Sequence, residues 1–218
     1  MRKEANNRCP HRGHRFTPID RIMKQFRLAA AVLLCAAACG EPRETAIAVQ
    51  SVVDSIHPIE EQVRRFKMTL GDATATRLEG GAASRDELVH GLITAIENND
   101  TAAIRRMMIS PAEFIDLYYP SSPFTRRPYR QDPAFVWFQI AQNSEKGIGR
   151  ALQRFGGRPT RFAGYACDPE PTVEGANRLW DGCVVHWKPG QVAGTLRLFG
   201  TIIERNGRFK FVSYTNGL

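Results

Sequence analysis

The spacing of apolar residues divides the chain into a helical first part and a strand-rich second part. Before Gly157, apolar residues recur every three or four positions, which places them on one face of a helix. After Gly157 they fall in short runs bounded by turn residues, which is typical of strands. The order of elements therefore predicts helices followed by an antiparallel sheet, an α+β fold.

Capping residues mark the starts of two predicted helices. Ser84 and Glu87 form a capping-box pair before the first helix of the predicted domain. Ser110 and Glu113 repeat the pattern. Residues 112–119 nevertheless suit a strand equally well, because so short a run does not reveal its period.

A long helix is predicted from Asp132–Pro133 to the stop at Gly156–Gly157. Gly147 and Gly149 inside it each cost about 1 kcal/mol relative to Ala. We expect either a kink or break near residues 143–144 or the close approach of another backbone.

About four antiparallel strands are predicted after the long helix. Asn206–Gly207 lies between the last two and gives the strongest hairpin signal, since both central residues of that turn must accept positive φ. The predicted strands run from Thr160 to Cys167, Leu179 to Trp187, Gly194 to Glu204 and Arg208 to Thr215.

An apolar run near the start of the chain, Leu28 to Ala38, follows a short basic region and ends at Cys39. This is the pattern of a secretory signal, and it is shorter than the ~20 apolar residues of a membrane-spanning helix. Residues 36–38 before Cys39 resemble the bacterial lipobox, so we predict a bacterial lipoprotein lipidated at Cys39. The alternative is an ordinary signal cleaved near Ala38. The residue after Cys39 is Gly40, whereas an Asp at that position is associated with inner-membrane retention. The resemblance therefore implies a periplasm-facing protein of the outer membrane.

Removal of residues 1–38 changes the charge of the chain. The whole sequence has 30 basic and 22 acidic residues, of which eight and two respectively lie in residues 1–38, so 22 and 20 remain. A nucleic-acid partner is therefore not expected. Translation is expected to begin at Met23. Before Met23, the spacing of Cys9, His11 and His14 does not match a complete tetrahedral set of metal ligands.

Three regions are predicted: a targeting region at 1–38, a tether with a short helix at 39–83, and an α+β domain at 84–218. Pro58 begins the short helix, and residues 72–83 are rich in Gly, Ala and Thr, as linkers are. Beyond Cys39 the chain has two cysteines, Cys167 and Cys183. In an exported protein such a pair predicts a disulfide.

The element order over residues 84–218, with the ending Gly207-Arg-Phe-Lys-Phe-Val-Ser-Tyr214, resembles the nuclear transport factor 2-like superfamily. The resemblance implies helices packed on a curved sheet that forms a cone with a pocket. Enzymes of that superfamily place an Asp, His or Tyr in the cone, so His186 with Asp116 is the candidate catalytic pair. A solvated strand histidine is the simpler interpretation of His186.

Aromatic and basic residues alternate around the loop at 120–132. They suggest a site for an anionic or aromatic ligand, by charge-assisted hydrogen bonds and stacking. The alternative is a loop held to the core by its aromatic residues, with its arginines in solvent. The candidate ligand-binding residues are Tyr118, Tyr119, Arg126, Arg127, Arg130 and Trp137.

The sequence has no phosphate loop, dinucleotide glycine fingerprint, zinc-protease helix or serine-hydrolase elbow. Asp168, Glu170 and Glu174 lack the spacing of a calcium loop, so neither a metal nor a cofactor is predicted. We expect an envelope lipoprotein whose domain binds a small ligand or an envelope protein without catalysis. The alternatives are a cone-pocket isomerase or hydro-lyase using His186 with an acid, and a structural adaptor of an envelope assembly.

Overall fold

Helices precede strands along the chain, as the α+β prediction requires. A computed structural model describes residues 57–188, 195–215 and 217. The predicted signal, the predicted lipidation site Cys39 and the first part of the predicted tether lie outside these residues. The described helices are α1 Ile59–Thr69, α2 Arg85–Glu97, α3 Thr101–Arg106, α4 Pro111–Glu113 and α5 Pro133–Phe155. No helix among the described residues is both long and apolar enough to cross a membrane.

The predicted caps form. The Ser84 hydroxyl accepts a hydrogen bond from the Glu87 N–H, and Ser110 and Glu113 make a reciprocal capping box at the start of α4. Residues 112–119 are helical, so the strand alternative for them is wrong. α4 continues as a wider π-helix, Phe114–Tyr118, and then as a single 3₁₀ turn, Tyr119–Ser121.

α5 is one continuous helix of 23 residues, without the break expected near residues 143–144. The other expectation, a close approach of backbone, is confirmed at Gly147. A Cβ on Gly147 would overlap the carbonyl group of Thr215, whereas a Cβ on Gly149 would have nothing within 4 Å. Gly147 therefore offsets its poor helix propensity by letting the C-terminal segment lie against α5.

The strands form two antiparallel sheets. β1, β4 and β5 form a three-stranded sheet, and β2, β3, β6 and β7 form a four-stranded sheet in the order β2-β3-β6-β7. The strands are β1 Phe162–Ala166, β2 Thr172–Glu174, β3 Asn177–Trp180, β4 Val184–Trp187, β5 Thr195–Leu196, β6 Ile202–Arg205 and β7 Arg208–Phe211.

Two strands that were predicted as continuous are each divided between the sheets. The run from Leu179 to Trp187 breaks at residues 181–183, where Gly182 has a φ of 64°, and supplies both β3 and β4. The run from Gly194 to Glu204 supplies β5 and β6. The hairpin prediction is confirmed, because Asn206 and Gly207 have φ of 52° and 71° between β6 and β7.

The predicted disulfide is present between Cys167 and Cys183. Cys167 follows β1, and Cys183 lies between β3 and β4. The Asp168 N–H also donates to the Asp181 carbonyl at 3.0 Å. The bridge therefore fixes the point where the chain passes from the four-stranded sheet to the three-stranded sheet.

Residues 57–83 pack against the rest of the fold, although the sequence assigned them to the tether. Phe66 is buried with its ring centroid 5.9 Å from that of Phe114, and Leu78 is buried as well. Ala82 exchanges two backbone hydrogen bonds of 3.0 Å with Phe209 of β7. The packed domain thus includes α1 and residues 78–82, and the predicted boundary at Ser84 falls inside it.

Buried apolar side chains fall into two groups. The first joins α2 and α5 to strands of both sheets, and the second surrounds Phe114 and Tyr119. Members of the first include Leu88, Leu92, Ile96, Ile148, Phe155, Val185, Ile202 and Phe211. Members of the second include Phe66, Leu78, Ile109, Leu117, Val136, Ile203 and Val212.

Candidate functional site

A cleft of about 740 Å³ lies between α3, the start of α4 and the middle of α5. Its apolar lining comes from Met108, Ile109, Pro111, Trp137 and Ala141, and its polar lining from Glu79, Gly80, Arg105, Arg106, Ser110, Glu145 and Lys210. A concave site that combines apolar walls with a few polar groups is the usual form of a small-ligand site.

Trp137 is the aromatic wall of this cleft. It is partly exposed, and its ring centroid lies 5.3 Å from that of Phe114, which has no exposed surface. Because Phe114 belongs to the core, it limits the rotamers open to Trp137. The indole is therefore presented to the cleft from a fixed position, at little entropic cost to a ligand that packs on it.

An ion pair joins two walls of the cleft. Arg105 of α3 donates from its Nε and a terminal nitrogen to the two carboxylate oxygens of Glu145 on α5, at 2.9 and 2.7 Å. The hydrogen bond from Arg105 lowers the pKa of the Glu145 carboxyl. Arg106 also lines the cleft, and it forms no ion pair with any residue in the described ranges. It is the cationic group at this site that a ligand anion could use.

Beside the cleft lies a buried ion pair between Glu113 of α4 and Lys210 of β7. The Lys210 Nζ donates to Glu113 Oε2 at 2.8 Å, and to the Glu79 carbonyl at 3.1 Å. Glu113 also accepts from the Glu79 N–H and the Ser110 N–H, both at 2.6 Å. Each carboxylate oxygen thus has a donor, so the pair serves to hold residues 79–80 against α4 and β7.

His186 and Asp116, the candidate catalytic pair, have separate surroundings. On β4, Val185 and Trp187 are buried in the core, so alternation directs the half-buried His186 to the opposite face of its sheet. Asp116 instead pairs with Lys67 at 2.5 Å and accepts from the Ala75 N–H at 2.8 Å. Its contacts hold the segment after α1, and they do not involve His186.

Tyr118 and Tyr119 are core residues. The Tyr119 hydroxyl donates to the Gln131 carbonyl at 2.5 Å, and burial raises its pKa to about 12. Burial also raises the pKa of Tyr118 well above its usual range, and the carboxylates of Glu174 and Asp181 add to the effect. Their burial agrees with the alternative interpretation, in which the aromatic residues hold the loop at 120–132 to the core.

The three arginines of the loop are exposed and lie apart from the Trp137 cleft. Arg127 and Arg130 line a second concavity, of about 590 Å³, together with Gln62, Pro128, Gln131 and Asp132. None of these residues lines the first cleft. The six candidate ligand-binding residues therefore do not form one site: Trp137 belongs to one concavity, and Arg127 and Arg130 belong to another.

Sequence reasoning missed most of the cleft. Glu113 was recognised as a capping residue, but nothing in the sequence indicates that Lys210 is buried. Arg105 and Glu145 are separated by 40 residues and come together only when α3 packs beside α5. Met108 and Ala141 carry no signal beyond their apolar character.

Among the described residues, no group of three His, Cys, Asp or Glu side chains is arranged to hold a metal ion. Comparison with known proteins gave no match to a family model, to a curated protein or to a solved structure.

Proposed function

We propose that this protein is an envelope lipoprotein whose domain binds a small, partly aromatic or apolar ligand in the Trp137 cleft, without catalysis. The observation that carries the proposal is Trp137 itself, which is fixed by Phe114 and presented in a cleft of about 740 Å³. Stacking on the indole supplies affinity, and the polar groups along the cleft supply orientation.

The state of the polar groups favours binding over catalysis. Glu113 and Lys210 are bonded to each other and to backbone groups, and Glu145 is held by Arg105. General acid–base catalysis needs a titratable group within reach of a reacting atom. The rival enzyme relies on His186 with Asp116, and Asp116 is already committed to Lys67 and Ala75.

The anchor at Cys39 and the outer-membrane location belong to the same proposal. Their support is the sequence pattern of residues 23–40, with a basic start, an apolar core and small residues before the cysteine. Two or more acyl chains on one cysteine give stable anchoring, where a single chain is marginal. The Cys167–Cys183 disulfide agrees with an oxidising compartment.

We also propose that the helices pack on a curved, cone-like sheet of the nuclear transport factor 2-like type. Its support is the order of helices before antiparallel strands and the closing hairpin at residues 206–207. The division of the strands into two sheets is a feature that such a cone must accommodate.

The proposal can be tested with a fluorescent aromatic sulfonate, anilinonaphthalene sulfonate, as the probe. Ala141→Trp places a bulky ring inside the cleft, while Gln142→Trp places the same ring on the exposed side of α5. We expect Trp137→Leu to weaken probe binding about fivefold, because a lost ring contact costs on the order of 1 kcal/mol. Ala141→Trp should weaken it by at least as much, because its ring fills the cleft. Gln142→Trp is the matched control and should bind as the parent does. Equal probe binding by all of these proteins would contradict the proposal.

A further inference from the structure

The first two turns of α5 carry an exposed aromatic face. Phe135 is 53% exposed and Phe138 is 58% exposed, and their spacing of three residues places them side by side on the helix. Tyr129, in the loop just before the helix, is 63% exposed. Single exposed apolar residues are ordinary, but three large ones within ten positions of the chain form a feature that needs an explanation.

The aromatic character is confined to that end of the helix. Further along the exposed side of α5 the residues are polar or small. They include Gln142, Asn143, Glu145, Lys146, Gly149, Arg150 and Gln153. The aromatic end of α5 directly follows the loop at 120–132, which carries the exposed arginines.

Two of those arginines have no counter-charge in an ion pair. Arg127 and Arg130 are exposed and line the concavity of about 590 Å³, and neither forms an ion pair with any residue that the structure describes. The acidic residue in that lining, Asp132, accepts from the N–H groups of Ala134 and Phe135 as the cap of α5. Arg126 is different: burial raises the pKa of the Glu174 carboxyl, and the nearby positive charge of Arg126 opposes that rise.

The loop that carries these groups is held at its base. The Gln131 N–H donates to the Phe124 carbonyl at 2.9 Å, and the Gln131 carbonyl accepts from the buried Tyr119 hydroxyl. Its side chains are thus presented from a formed surface, which reduces the ordering cost of binding.

We propose that Arg127, Tyr129, Arg130, Phe135 and Phe138 together form a surface that docks on an anionic lipid bilayer. Aromatic rings prefer the boundary between headgroups and acyl chains, and arginine guanidinium groups bind lipid phosphates through paired hydrogen bonds. Arg127 and Arg130 receive the phosphates in the concavity while the rings enter the boundary. The inference goes beyond ligand binding, since it assigns the orientation of the domain on a membrane.

The choice of a lipid surface over a protein partner rests on charge. The five residues of the surface include two cations and no acid, and the Asp132 carboxylate beside the cations already accepts the N–H groups at the start of α5. The surface therefore complements a layer of anionic headgroups. The proposed anchor at Cys39 adds an independent reason. Residues 40–56 reach at most about 60 Å when extended, so the domain stays near the bilayer.

The test uses a chain that starts at residue 39 with Cys39→Ser, which contains the whole packed domain and carries no lipid. Its result therefore does not depend on acylation or on the Trp137 cleft. Sedimentation with phosphatidylglycerol vesicles should exceed that with phosphatidylcholine vesicles at least about tenfold, because each basic residue near an anionic surface adds to binding. Arg127→Ser with Arg130→Ser should remove most of that difference.

Lys146→Ser with Arg150→Ser is the matched control, since it removes the same charge from the other part of the exposed face of α5. It should lower vesicle binding less than about threefold, as expected for charges held away from the surface. Phe138→Trp reports insertion: brominated lipid should quench a larger share of its fluorescence than of the parent's, whereas Gln153→Trp should be quenched no more than the parent. Unchanged thermal unfolding would show that each variant is folded.

Three outcomes would overturn the proposal. The first is no binding to either kind of vesicle, and the second is an equal loss of binding in the two charge variants. The third is a protein that does not bind vesicles and instead forms a dimer through this surface. Phe138→Ser would dissociate that dimer.

Discussion

The Lys210 ammonium and the Glu113 carboxylate form an ion pair of 2.8 Å with side chains only 5% and 2% exposed. They belong to β7 and α4, which are 97 residues apart in the sequence. Two charges so far from water are stable only together, because each compensates the desolvation of the other. The pair therefore makes the packing of residues 79–80, α4 and β7 interdependent.

Removal of one partner should destabilise the domain strongly. Lys210→Met leaves the Glu113 carboxylate buried without a cation, and we expect a loss of about 3–5 kcal/mol in the free energy of unfolding, measured with urea. Arg77→Met breaks the Arg77–Glu79 pair, whose side chains are 72% and 65% exposed, and should change the free energy of unfolding far less, because water screens the pair. Similar losses in both variants would show that the buried pair has no special weight.

The two glycines of α5 should respond in opposite directions to the same substitution. Gly147→Ala places a methyl group against the Thr215 carbonyl group and should destabilise the domain by about 1–3 kcal/mol, as overpacking does. Gly149→Ala meets nothing within 4 Å and should stabilise it by up to about 1 kcal/mol through helix propensity. Thermal unfolding of the two proteins checks both signs. A stabilised Gly147→Ala protein would contradict the backbone approach.

Reduction of the disulfide should lower stability without changing the fold. The bridge closes a separation of 16 residues, for which loop entropy predicts about 3 kcal/mol. Urea unfolding with and without reductant measures the difference, and Cys167→Ser with Cys183→Ser should match the reduced protein. Two alkylated thiols in the exported protein, found by intact mass, would contradict the bridge in the cell.

Burial of tyrosines predicts a loss of stability at alkaline pH. The folded pKa of Tyr119 is raised to about 12, above the unfolded value of about 10. Its contribution is therefore complete below pH 10 and is lost as the pH rises through 12. Tyr119→Phe cannot ionise there, so its unfolding free energy should fall less steeply between pH 10 and 12 than that of the parent. Parallel pH profiles would exclude Tyr119 as a source of the loss.

Lipidation is testable by the processing of the chain. Globomycin should block its maturation, and a fatty-acid label should be incorporated at Cys39. Cys39→Ala should remove the label and leave the precursor unprocessed. A Cys39→Ala protein that is cleaved and fractionates as the parent does would instead support an ordinary signal.

Local signals in the sequence predicted local structure well. The capping pair Ser110 and Glu113 and the turn at Asn206–Gly207 are confirmed, because each depends on residues only a few positions apart. The disulfide also follows from simple counting, since two cysteines beyond Cys39 allow one pairing.

The division of the strands into two sheets could not be predicted, because it depends on tertiary contacts. Gly182 is the local sign of the break between β3 and β4, and an isolated glycine within a strand pattern equally suits a bulge. The composition of residues 72–83 is that of a linker, and the buried position of Leu78 depends on a partner cluster formed by distant segments.

The cleft could not be predicted from the sequence, because it too depends on tertiary contacts. Trp137 was predicted to bind a ligand together with the loop arginines. In the structure Trp137 lines one concavity, and Arg127 and Arg130 line another. The residues that line the cleft with it include Met108, from the segment after α3, and Ala141, from α5. Concave sites depend on how helices pack, and periodicity describes each helix alone.

Backbone hydrogen bonds at β7 have a consequence for contacts between copies of the domain. The outer side of β7 is covered by chain that is not part of the sheet: Ala82 bonds with Phe209, while Met107 and Ile109 bond with Phe211. An uncovered strand edge would offer free N–H and C=O groups to a neighbouring copy. Since these groups are already bonded, copies of the domain cannot extend this sheet from one molecule to the next at β7.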